Sequence, residues 1–85
     1  MPEFDKIQIV PHAQRRLSER NVLEADATST ICNPDKKTVQ DRGSHGGKVY
    51  LHSKRIGDAE LFVVAEIVGR SAFIITAFWK YDKEP

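Results

Sequence analysis

The spacing of apolar positions changes once along this chain, and the change divides it into a helical first half and a strand-rich second half. Ile7 and Ile9 alternate with Lys6, Gln8 and Val10, which predicts a short edge strand. Pro11 suits the first turn of a helix, because its missing N–H has no partner to lose there. Ala13 and Leu17 lie one turn apart and give that helix an apolar seam, completed by Val10 or Val22. Asn21 followed by Glu24 reads as a capping box, so a second helix is predicted to start near Val22. Its apolar positions are Val22 or Leu23, Ala27 and Ile31, and Asn33-Pro34 stops it.

Beyond Pro34 the period becomes that of strands. Lys37 to Arg42 is a candidate strand, the run from Gly43 to Gly47 a flexible turn, and Lys48 to Ile56 a clean alternation. Gly57-Asp58 signals a hairpin. Glu60 to Val68 and Ser71 to Trp79 are nearly continuous apolar runs separated by Gly69-Arg70. Runs of that kind predict central strands covered on both sides, or a face closed by a partner. The expected fold class is α+β: a short N-terminal strand, two helices, then an antiparallel sheet of about four strands.

Composition narrows the function classes. The 85 residues make one domain, residues 1–85, with 40% hydrophobic and 29% charged residues, so wholesale disorder is not expected. No apolar run reaches the length of a membrane span, and the start has no basic segment leading into a long apolar one. A single cysteine, Cys32, allows no internal disulfide, so a cytoplasmic protein with a small buried thiol is expected. Thirteen basic against twelve acidic residues leave a net charge of +1, less than strong non-specific nucleic-acid binders carry, although a local basic stripe can hide inside a neutral total.

The candidate chemistry sits on the first helix. His12, Arg16 and Arg20 are spaced four residues apart and form one stripe beside the apolar seam. Metal-free RNA cleavage needs a base for the 2′-hydroxyl, a cation for the charge on phosphorus oxygens, and an acid for the leaving oxygen. Imidazole fits the first or last task and guanidinium the middle one. The same stripe also fits a structural ridge, with His12 at the helix start and the arginines bridging to Glu19, Glu24 or a carbonyl. Lys54 and Arg55 face opposite sides of their strand, and Tyr50, His52 and Lys54 share one side. That row could stack a base and hold a phosphate, or form an ordinary solvated face. Thr76, placed on the face of Ile74 and Phe78, could donate to a phosphate or be satisfied locally. Trp79 and Tyr81 are expected to pack rather than stack on bases. No cofactor or metal is expected, since no Cys-x-x-Cys or closely spaced His pair exists. The Gly43–Lys48 run has neither the spacing nor the following helix of a phosphate loop, and His45 within it is expected to face solvent.

Taken in order, His12-Ala13, Arg16, Arg20-Asn21-Val22, Asn33-Pro34, Lys54-Arg55-Ile56, Leu61–Val64 and Ile74–Trp79 resemble the prokaryotic family known as domain of unknown function 4258, over roughly His12 to Lys80. The resemblance implies a fold similar to RelE-type toxins and to the wider barnase–EndoU–colicin–RelE group of metal-independent ribonucleases. It makes His12, Arg16, Arg20, Arg55 and Thr76 the matching positions. On that reading His12 is acid or base, Arg16 and Arg20 clamp phosphate, Arg55 or Lys54 stabilises the transition state, and Thr76 is an auxiliary donor. Tyr50, His52 and Lys54 would bind substrate. The implied partners are RNA and a cognate antitoxin or inhibitor protein. The alternative is a non-catalytic protein-binding or regulatory module of the same fold, or a dimerisation unit that forms a homodimer.

Overall fold

The computed structural model describes residues 4–43 and 46–81. Its elements are β1 (Lys6–Ile9), α1 (Pro11–Glu19), α2 (Glu24–Cys32), β2 (Lys36–Arg42), β3 (Lys48–Ile56), β4 (Ala59–Val68) and β5 (Ser71–Tyr81). Strands β2 to β5 form the expected antiparallel meander, joined at β3–β4 and β4–β5 by two-residue turns in which Gly57 and Gly69 take positive φ. The sheet has one more strand than expected. β1 adds alongside β5 in parallel, giving a five-stranded mixed sheet in the order β1-β5-β4-β3-β2. The sequence predicts β1 as a strand, but its partner is a strand more than sixty residues away, which no local pattern encodes.

Both helices lie on one face of the sheet. Ala13 and Leu17 of α1 and Ala27 and Ile31 of α2 are buried against Leu61, Val63, Ala65, Ala72, Ile74 and Ala77. Each large side chain buried there contributes about 1.5–3 kcal/mol. This is the inner face. Directly paired residues share a face, so Tyr50, His52 and Lys54 are inner, while Val49, Leu51, Arg55, Phe62, Val64 and Phe78 are outer. No helix among the described residues is long and apolar enough to cross a membrane.

Asn21 does not cap α2. It adopts φ 56° and terminates α1: its N–H reaches Ser18 O at 3.3 Å, and the Val22 N–H reaches Leu17 O at 2.8 Å. This is a left-handed helix stop with an apolar pair, Leu17 and Val22, tucked under it. α2 consequently starts two residues later than predicted, behind Leu23 and with no side-chain cap. Glu24 and Asp26 in its first turn favour the helix dipole instead.

One irregularity in β5 matters for the site. Ile74 pairs with Ala65 and Thr76 with Val64, so Ile75 is an extra residue and the strand bulges there. The bulge removes Thr76 from the face of Ile74, contrary to the simple alternation. β1 ends opposite Ile74, where Pro11 turns the chain into α1, and among the described residues this leaves the rest of the β5 edge without a strand partner.

Candidate functional site

The outer ridge of α1 meets that open β5 edge. His12 and Arg20 are exposed and Arg16 is half-buried. Arg16 Nε donates to His12 Nε2 at 3.0 Å, so Nε2 carries no proton in this arrangement and the ring's hydrogen is on Nδ1. One turn on, Arg20 Nη1 donates to Thr76 Oγ1 and to Ala77 O, both at 3.2 Å. Arg20 thus satisfies a carbonyl that the missing strand leaves open, and its Nε and Nη2 have no partner among the described residues. Trp79 fixes the end of the helix through Nε1, which donates to Asn21 O at 3.3 Å. A shallow cavity of about 290 Å³ lies over the ridge, lined by His12, Arg15, Arg16, Glu19 and Arg20.

Three of the sequence-derived residues, His12, Arg16 and Arg20, therefore line one cavity, and Thr76 is joined to it through Arg20. Arg15 and Glu19 complete the rim by pairing with each other at 3.2 Å. Nothing in the apolar pattern singled them out, because they sit on the solvent side of the helix like any charged pair one turn apart.

The strand cations do not join this cluster. Lys54 lies on the inner face, where Nζ donates to Ser29 Oγ of α2 at 3.2 Å. Arg55 lies on the outer face, two strands from β5, with its backbone N–H held by Asp35 Oδ2 at 2.8 Å. The role given to Arg55 or Lys54 beside His12 is corrected accordingly. The row Tyr50–His52–Lys54 does share a face, but that face carries α2. His52 is 0% exposed, with Nδ1 3.3 Å from Val63 O, so no base can stack on its ring. Tyr50 remains half-buried near the sheet's far end, with Lys37 Nζ 4.5 Å from its ring centre.

The remaining candidates take no part in the ridge. Cys32 is free and partly exposed at the margin of the core. Tyr81, expected to pack, is instead exposed at the end of β5, with the Trp79 ring stacked beside it at 6.4 Å between centroids. Of the predicted turn, His45 lies outside the described residues. Its glycines follow a packing rule: Gly47 N–H donates to the buried Glu66 carboxylate at 2.9 Å, and a Cβ on Gly43 would collide with that same side chain.

A family model described as domain of unknown function (DUF4258) matches residues 9–79. The chain belongs to the DUF4258 family. The match spans every element except β1's first residues and the last two residues of β5, so the α1 ridge, the β5 bulge and the Asn21 stop all fall within the DUF4258 region. No curated protein and no solved structure matches the chain.

Proposed function

We propose that this DUF4258 protein acts on RNA as a metal-independent endoribonuclease of RelE-like type, with the α1 ridge as its site. The observation that carries the reading is the 3.0 Å contact from Arg16 Nε to an exposed His12 Nε2, one helical turn from an arginine anchored on Thr76. An unprotonated imidazole nitrogen at a solvent-facing site can serve as a general base. A guanidinium beside it can transfer its hydrogen bond to a phosphate oxygen, where a charge-assisted bond is stronger than one to a neutral ring.

The chemistry follows from these groups. A phosphodiester enters the cavity and Arg16 turns from His12 to the phosphate, freeing Nε2. Arg20 donates to the same phosphate from Nη2 while Nη1 keeps its hold on β5. His12 takes the 2′-hydroxyl proton, the 2′-oxygen attacks phosphorus, and the bond to the 5′-oxygen breaks. The leaving oxygen takes its proton from water, and the product ends in a 2′,3′-cyclic phosphate. Mixed RNA incubated with the purified protein in EDTA is expected to give such ends. Intact RNA after long incubation at micromolar protein would sink the reading.

The non-catalytic module has one observation in its favour. Among the described residues no helix covers the outer-face side chains Val49, Leu51, Phe62, Val64 and Phe78, and Phe62 stacks on Phe78 at 5.2 Å between centroids. Phe78 is 37% exposed. A second copy seated on this face would bury it, as apolar patches on dimers do. Light scattering is then expected to give twice the chain mass, falling to one chain mass for Phe78→Glu. A monomer for the unaltered chain at high concentration removes the dimer.

A further inference from the structure

The far end of the inner face, beyond both helices, holds a second cluster of charge that the α1 ridge does not use. Arg42 and Lys48 pair directly across β2 and β3, next to Tyr50, on the side that Lys37 also occupies. Like charges placed opposite each other on a sheet repel, so holding them together at a hairpin mouth costs stability that a bound anion would restore. Neither makes an ion pair among the described residues. Together with Gly43, Gly47 and Tyr50 they line a cavity of about 700 Å³, bounded on its other side by Ile67 and the β4–β5 turn. No carboxylate lines it among the described residues: the Glu66 carboxylate is buried behind the lining glycines Gly43 and Gly47, held by the Gly47 N–H, and Asp41 pairs with outer-face Val49. The net charge of +1 thus conceals a local pair of cations beside an aromatic wall.

We infer that this cavity binds the phosphodiester backbone of single-stranded nucleic acid, Arg42 and Lys48 each holding a phosphate and Tyr50 lying against a sugar or base. Two cations repelling each other across one strand pair are relieved by an anion placed between them, and an aromatic ring beside a basic groove is how single strands are held without sequence readout. Lysines on an edge strand also discourage strand addition, but Lys36 and Lys37 already serve that purpose on β2, and Lys48 is on its inner neighbour. The inference rests on the RNA reading only for the choice of ligand. It requires no cleavage.

The test uses a fluorescent 2′-O-methyl RNA 12-mer, which cannot be cut by its own 2′-oxygen, and follows its anisotropy with the full chain at several salt concentrations. Arg42→Ala with Lys48→Ala is expected to weaken binding about ten-fold or more at low salt and to flatten the salt slope by about 1.4, the value for two phosphate contacts on a single strand. Lys36→Ala with Lys80→Ala removes the same charge from the outer face and is expected to change binding less than three-fold. Excess inorganic pyrophosphate is expected to compete only at millimolar levels; competition at micromolar levels assigns the pocket to a small phosphate ligand and overturns the inference. So do three other results: no binding by the unaltered chain, equal loss in both double variants, or no loss in Arg42→Ala with Lys48→Ala. Arg42→Gln with Lys48→Gln replaces the alanine pair if melting shows that pair unfolded. Binding through these residues without any RNA cleavage removes the nuclease reading alone; cleavage with unaltered binding in the double variant removes this inference alone.

Discussion

Replacing His12 by alanine is expected to lower RNA cleavage by about 10²–10⁴-fold, the range general acid–base groups contribute. The side chain is exposed and its one described bond is to Arg16, so the fold should not notice its loss. Exposed substitutions of this kind change stability by about 0.5 kcal/mol or less. The melting temperature is therefore expected to stay put while the rate of cyclic-phosphate formation collapses. Arg16→Ala should lower the rate as well, because it removes the phosphate donor, yet it leaves Nε2 of His12 open. If His12→Ala cuts RNA as fast as the unaltered chain, the imidazole has no part in the reaction.

The second large effect is on the fold that carries the ridge. Leu17 is 2% exposed, sits beneath the Asn21 helix stop and packs α1 onto β5. Leu17→Ala is expected to cost about 2–5 kcal/mol, from lost burial plus the cavity left behind. A domain of 85 residues has only about 4–13 kcal/mol in total at 0.05–0.15 kcal/mol per residue. Each kcal/mol moves the melting temperature of such a domain by about 4–8 °C, so a drop of roughly 10 °C or more should appear in a thermal melt followed by circular dichroism. A shift below about 2 °C would mean that α1 is not held by this seam.

Several features were legible because they are local. Pro11 with Ala13 and Leu17 marks α1, and the strict alternation of Lys48 to Ile56 gives β3 at both of its ends. The stripe His12, Arg16, Arg20 follows from helical spacing alone. Other features depend on distant parts of the chain. A period of two shows that Tyr50, His52 and Lys54 share a side, but not that α2 will cover it, so His52 looked available and is buried. Asn21 suits a helix start and a left-handed helix stop equally by residue type; the packing of Val22 beside Leu17 decides for the stop. The bulge at Ile75 breaks the alternation of β5 without any glycine or proline to announce it, and with it moves Thr76 to the edge where Arg20 reaches it. Arg55 could not be placed because its distance from α1 depends on the order of strands in the sheet.

The central claim is that Arg16 exchanges His12 for a phosphate. Nitrogen-15 NMR of the Arg16 side chain and the His12 ring, during titration with an uncleavable 2′-O-methyl dinucleotide, tests it most directly. Bound ligand should shift Arg16 Nε and His12 Nε2 together and at the same concentration, as one bond is traded for another. Saturation with both signals unmoved would contradict it.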